Sequence, residues 1–358
     1  MKIFVSTGEV SGDLHLSYLI KNMLKTNETI EFYGIAGENS EKLGVNILYN
    51  IKDLAIMGFV EALKKYNFLK KKAKEYLKFI IDNKIDKVIL VDYGGFNLAF
   101  LKLIKKYAPH VEVFYYIPPK LWIWGENRIK KLKLADHILV IFPWEVDFYK
   151  SRGINVVYYG NPFFEKYSFI EKRGENILLL PGSRKQEIES LLPIMLEIVK
   201  EKKENNFILK FPNRKVLEWV YDDLDKYSNL KVEYGNLEDS VKKSKLAIAA
   251  SGTVTLELSI MGIPTIVLYK VGAINAFIAK KLLKVGLVSL PNIVLNEEVY
   301  PELLQEKCEK NEILKYMDLI EKNKEEYYKK IKEVREKLSG KDIVKSYGDY
   351  ILRGKIND

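Results

Sequence analysis

Short β-branched runs alternate with longer amphipathic segments along most of this chain, and the alternation occurs twice. In the first half the runs are Ile3–Val5, Phe32–Ile35, Val88–Val91, Val113–Ile117 and Ile138–Phe142, separated by helical stretches such as Asp13–Leu24 and Leu98–Tyr107. Near-continuous apolar runs bounded by helices read as parallel strands covered on both faces, joined by right-handed crossovers. The pattern breaks at Gly160-Asn161-Pro162 and the polar segment Glu165–Asn176, then resumes with Ile177–Leu180, Phe207–Phe211, Leu230–Tyr234, Leu246–Ala249 and Thr265–Tyr269. Helices are expected around Gln186–Lys203, Lys215–Tyr227, Glu238–Lys243 and Thr253–Met261, and again beyond Asn311, where the chain is strongly charged. The expectation is α/β: two Rossmann-like, doubly wound parallel-sheet domains facing a cleft, with bounds 1–168 and 169–329 and a helical tail, 330–358, returning to the first domain. The length of 358 residues supports two cores rather than one.

Composition excludes several classes. Cys308 is the only cysteine, and the only histidines are His15, His110 and His137, so no internal disulfide forms and no Cys/His zinc site is expected. The start MKIFVSTGEVSGD lacks the pattern of a signal peptide, and no window reaches the roughly 18 apolar residues of a membrane span. A cytoplasmic protein, soluble or peripheral, is expected. Its net charge of +10 favours phosphates or an anionic surface. Nucleic acid is not expected, because no Arg-rich stripe, zinc-finger spacing or RNP-like motif is present.

Ligands of open α/β sheets bind beyond the carboxyl ends of the strands, so those loops carry the candidate site. After the first strand come Gly8-Glu9-Val10-Ser11-Gly12-Asp13, where glycines admit a ligand to a helix N-terminus or simply form a tight capped turn. The spacing matches neither G-x-G-x-x-G nor the Walker pattern. In the second domain Pro181-Gly182-Ser183-Arg184 and Ser251-Gly252-Thr253 open two further helices, with Glu257 one turn into the latter. Two small-residue helix starts with one guanidinium suit a nucleoside diphosphate, the Glu257 carboxylate facing ribose hydroxyls. Asp92, at a strand end before Tyr93-Gly94-Gly95-Phe96-Asn97, is placed either as a general base or as a cap of the helix running from Asn97. Trp122 and Trp124, in the Pro-flanked run ending at Arg128, suit a sugar face or an acyl chain. Asp223-Leu224-Asp225 matches a metal-holding D-x-D but is expected within a charged surface helix, so no metal and no cofactor are expected.

Residues 59–80 differ in kind. Phe59, Leu63, Tyr66, Leu69, Ala73, Tyr76 or Leu77, and Ile80 recur at helical spacing, and Lys64, Lys65, Lys70, Lys71, Lys72, Lys74 and Lys78 line the remainder. Such a face suits an anionic bilayer, with Phe59, Leu63, Leu69 and Leu77 inserted and Lys70 and Lys71 at the headgroups, or is an ordinary amphipathic helix.

In order, GEVSGD, MGFVEAL, VDYGGFN, PPKLWIWGENR, LLPGSR, ASGTVTLE and VSLPNIV, spanning Gly8 to Val294, resemble the motif series of the lipid-A-disaccharide synthases. The resemblance implies a metal-independent GT-B glycosyltransferase. It would join UDP-2,3-diacylglucosamine to 2,3-diacylglucosamine 1-phosphate through a β(1→6) bond with inversion, at the cytoplasmic face of the inner membrane. It also implies Arg184 as an activity-bearing residue, Ser183, Ser251, Gly252, Thr253 and Glu257 around UDP, and Asn292 at the same site. Some members carry an Asp where this chain has Gly95, which leaves Asp92, Glu9 or Asp13 to supply the base. Asn161 stands where others have His. A homodimer is left open. The competing readings are a UDP-N-acetylglucosamine 2-epimerase and a non-catalytic UDP-binding protein.

Overall fold

The computed structural model describes residues 1–52, 62–122, 126–270 and 286–354, with residues 62–67 and 126 described by their backbone alone. The chain divides into two compact units: Met1–Glu165 together with Gly340–Asp358, and Lys166–Ser339.

The first unit is built on strands β1 (Lys2–Ser6), β2 (Glu31–Ala36), β3 (Asn46–Asn50), β4 (Lys87–Val91), β5 (Glu112–Tyr116) and β6 (His137–Leu139). All pair in parallel, in the order β3-β2-β1-β4-β5-β6. Alternate residues face opposite sides of the sheet. Phe4, Val88, Leu90, Val113 and Tyr115 join a core with Tyr76, Ile80, Phe100 and Leu101 from the helices Ala62–Asp82 and Gly94–Tyr107. On the other face the helix Val10–Thr26 packs with the last helix, Ile343–Arg353, whose Tyr347 ring lies 5.3 Å from that of Tyr116.

The second unit repeats the plan with β7 (Asn176–Leu180), β8 (Phe207–Lys210), β9 (Leu230–Glu233), β10 (Ser244–Ala250), β11 (Thr265–Tyr269) and β12 (Glu302–Leu304), in the order β12-β11-β10-β7-β8-β9. In each sheet the first strand of the unit pairs with the second on one side and the fourth on the other. The order therefore reverses between β1 and β4 and between β7 and β10, and the loops at those two points diverge to leave a crevice.

Three expectations need correction. Strands β3 and β12 were not foreseen, because both are short edge strands whose pairing is supplied by a neighbour rather than by an apolar run of their own. The stretch 215–227 is not an α-helix: two 3₁₀ turns, Arg214–Trp219 and Leu224–Lys226, are capped by the side chains of Asn213 and Asp223. Return of the chain to the first unit comes at Gly340, not near 330. The helix Lys324–Lys337 stays with the second unit, where Arg335 donates to the carbonyls of Tyr167 (3.0 Å) and Ile260 (2.8 Å).

Candidate functional site

At the β1/β4 crevice two loops are tied by one side chain. Asn97 is fully buried within a helix that begins at Gly94, with Tyr93 rather than Asp92 as the N-cap. Its amide nitrogen lies 3.1 to 3.2 Å from the carbonyls of Ser6, Val91 and Asp92, and its oxygen accepts from Ser6 Oγ at 2.7 Å. The glycines of the first loop also serve the fold: a Cβ on Gly8 would lie 2.2 Å from the Tyr93 ring, and one on Gly12 would lie 2.3 Å from Thr7 Oγ1. Both are small so that protein atoms can pass.

Asp92 and Tyr93 have φ of 43° and 46°, and Ile117 beside them has 57°. For side chains bearing a Cβ these left-handed conformations are costly, and they persist where surrounding bonds hold them. Here the Asp92 N–H donates to the Ile117 carbonyl at 3.0 Å, and the Tyr115 hydroxyl donates to the Asp92 carbonyl at 2.7 Å. The half-buried Asp92 carboxyl is pushed up to about 6, first by burial and then by the negative charge of Glu9, while Lys120 and the Tyr93 backbone partly oppose this. A carboxylate that takes a proton near neutrality is suited to general-base work. Glu9 is exposed. Asp13 is instead 1 % exposed and accepts from Gly37 N–H (2.8 Å), Asn39 N–H (3.0 Å) and Ser40 Oγ (2.6 Å), holding the loop after β2.

Trp122 is half-buried, its ring 5.7 Å from Trp144 at 89°, whereas Trp124 lies outside the described residues. Arg128 is half-buried beside the β4 loop, and a Cβ on Gly94 would lie 3.6 Å from its Nη1. Glu145, which sequence reasoning missed, is 3 % exposed, and burial raises its carboxyl to about 8. The Trp122 indole N–H approaches it without a well-formed hydrogen bond.

At the β7/β10 crevice the two helix starts differ. Gly182 has φ of 113°, and the Glu187 carboxylate accepts from the N–H groups of Ser183 (3.0 Å) and Arg184 (3.3 Å). Those two donors are engaged within the protein. The Arg184 guanidinium stays 70 % exposed, with Glu187 Oε1 at 3.3 Å. At the helix Thr253–Met261, by contrast, no side chain caps the first turn, and a Cβ on Gly252 would meet nothing within 4 Å. Ser251 and Thr253 flank that opening. Glu257 is half-buried with its carboxyl raised by burial, against the pull of Tyr167, Lys166 and Lys210; the Tyr167 hydroxyl donates to it at 2.5 Å. Sequence reasoning also missed Tyr167 and the buried Lys210, whose ammonium donates to the Gly235 carbonyl at 2.7 Å. Lys210, a cation closing an otherwise apolar strand, was the available signal.

Asn292 serves the fold. It is fully buried, and its amide is satisfied by Val299 N–H, Tyr300 N–H, the Tyr300 carbonyl and Glu302. Asn161 likewise folds a turn, accepting from Phe163 N–H at 3.0 Å and donating to the Ile141 carbonyl at 3.2 Å.

On the helix Ala62–Asp82 the apolar stripe is a core face: Leu77 is 8 % exposed and Leu69 packs against the same core. Leu77 is thus committed to the core, and Leu69 is partly so. Lys70 and Lys71 are exposed, while Phe59 and the Leu63 side chain lie outside the described residues. Asp223 accepts from the Asp225 N–H, and no group of three or more metal-ligating side chains occurs among the described residues. No described helix is long and apolar enough to cross a membrane.

A family model described as lipid-A-disaccharide synthetase matches residues 3–349. The lipid-A-disaccharide synthase of Persephonella marina is 32% identical, with 98% of each chain covered. That of Syntrophus aciditrophicus is 34% identical over 85% of this chain and 84% of its own. Among solved structures, a UDP-GlcNAc 2-epimerase from Neisseria meningitidis bound to UDP-GlcNAc aligns with a TM-score of 0.66 at 15% identity, covering 99% of this chain and 100% of that one. MurG of Acinetobacter baumannii aligns at 0.59 and 14% identity over 98% and 99%. These likenesses show the fold alone, which is of the GT-B type.

Proposed function

Because the chain belongs to the lipid-A-disaccharide synthetase family and is a glycosyltransferase, we propose that its donor is UDP-2,3-diacylglucosamine and its acceptor 2,3-diacylglucosamine 1-phosphate. The products are then a β(1→6)-linked disaccharide 1-phosphate and UDP. The observation that carries the mechanism is Asp92, a carboxyl held near pKa 6 at the β1/β4 crevice on a strained backbone. Ionised at neutral pH, it takes the proton of the acceptor hydroxyl as that oxygen attacks the anomeric carbon from the face opposite the leaving UDP. In the second unit, Arg184 and the uncapped first turn at Thr253 meet the charge growing on the departing phosphate, with Glu257 at the ribose. No metal takes part in this reading.

The exposed lysines of the helix Ala62–Asp82 support peripheral attachment to an anionic membrane, where both lipid substrates reside. Mixing donor and acceptor in detergent and following UDP release tests the assignment, and absence of release with every acyl length tried would overturn it. UDP-GlcNAc alone should remain unchanged; its epimerisation would favour an isomerase.

A further inference from the structure

The loop after β5 is stiffened by Pro118-Pro119 and pressed onto the β4 loop: a Cβ on Gly94 would lie 2.6 Å from Pro119 Cγ. Lys120 follows immediately and is exposed. Its positive charge reaches two carboxyls, those of Asp92 and Glu145. Among the described residues its ammonium makes no hydrogen bond or ion pair. Glu145, held protonated near neutral pH by burial, does not neutralise it. The guanidinium of Arg128 borders the same Gly94–Pro119 contact. A cation on a rigid loop beside the base, with one of the two carboxyls it reaches uncharged, suits a phosphate monoester.

We propose that Lys120, with Arg128 across the same loop, receives the anionic group of the acceptor, a sugar phosphate, and selects phosphorylated acceptors for attack at Asp92. The inference rests on the acceptor assigned above and deepens it. Filling the site also has a consequence for the base. Besides Lys120, Asp92 faces Glu9, the Tyr93 backbone and the Tyr115 hydroxyl; a phosphate on Lys120 screens its pull and leaves Asp92 the stronger base once the acceptor is in place.

The test compares wild type with Lys120→Gln and Lys120→Arg in the full chain, using 2,3-diacylglucosamine 1-phosphate and the same lipid without its phosphate. Lys120→Gln should raise KM for the phosphorylated acceptor at least about tenfold, as loss of a charge-assisted contact does. It should change kcat little, shift the acid limb of the pH profile upward, and abolish the preference for the phosphorylated lipid. Lys120→Arg should restore most of that preference. UDP affinity and binding to phosphatidylglycerol vesicles should not move. A Lys120→Gln enzyme that keeps its preference, or loses both acceptors equally, overturns the inference while leaving UDP release by the wild type to decide the function. Weakened vesicle binding with unchanged preference would assign Lys120 to lipid headgroups and overturn it as well. Acceptor binding in micelles gives a readout without turnover, and equal wild-type affinity for the two lipids is also fatal.

Discussion

Asp92, Tyr93 and Ile117 adopt a backbone that costs on the order of 1–3 kcal/mol each, with the Asp92 carbonyl held by Asn97 and Tyr115. That cost places a carboxyl where it is poorly solvated and ionises near neutrality. Asp92→Asn should therefore abolish most turnover while UDP affinity stays within a few-fold, and wild-type kcat/KM should fall as pH drops through about 6. Retained activity in Asp92→Asn with loss in Glu9→Gln would move the base to Glu9. Glu145 gives a second prediction, in stability. Its folded pKa is raised, so its contribution is fully present below the ordinary carboxyl range and is lost as pH rises toward about 8. Glu145→Gln should gain on wild type by at most about 1.4 kcal/mol per pH unit across that window, read as a difference in thermal midpoint. A flat difference between pH 5 and 8 would show that Glu145 does not titrate there. At the donor side, Arg184→Ala should lower turnover at least about a hundredfold, and near-normal kinetics in the folded variant would remove Arg184 from the site.

Single elements here answer to two demands. The helix Ala62–Asp82 repeats its apolar residues every three or four positions, which a core and a bilayer require equally; burial of Ala73, Tyr76, Leu77 and Ile80 assigns that face to the core. What remains for a membrane is charge. Replacing Lys70, Lys71, Lys74 and Lys78 by Gln should weaken sedimentation with anionic vesicles by about 1 kcal/mol per lysine at low salt, and wild-type binding should fall as salt screens it. Vesicle binding unaffected by the four substitutions would place the contact elsewhere. The helix Lys185–Glu201 shows the same duality at its start, where Glu187 occupies the N–H groups that a phosphate would use.

The last helix completes the first unit from the far end of the chain. Ile343, Tyr347 and Ile351 are fully buried, the Tyr347 hydroxyl donates to the Val140 carbonyl at 2.5 Å, and Lys87 donates to the Ile351 carbonyl at 2.7 Å. Each such side chain contributes roughly 1.5–3 kcal/mol by burial. Truncation after Ser339 should thus expose residues 1–165 to amide exchange while the second unit stays protected; unchanged protection would make the helix dispensable. Periodicity alone determined the two parallel sheets, since strands buried on both faces need apolar runs and crossovers need amphipathic helices. The ordered strand-end motifs carried the family and placed Asp92, Arg184 and Glu257 at crevices. Tertiary structure decided what depends on neighbours distant in sequence: the edge strands β3 and β12, the satisfied amide of Asn292, the hold of Asp13 on the loop after β2, and the protonation of Glu145. Residue type names a side chain's chemistry, but the surrounding fold determines its hydrogen-bond partners and access to water, and those decide whether its polar atoms remain available to a substrate.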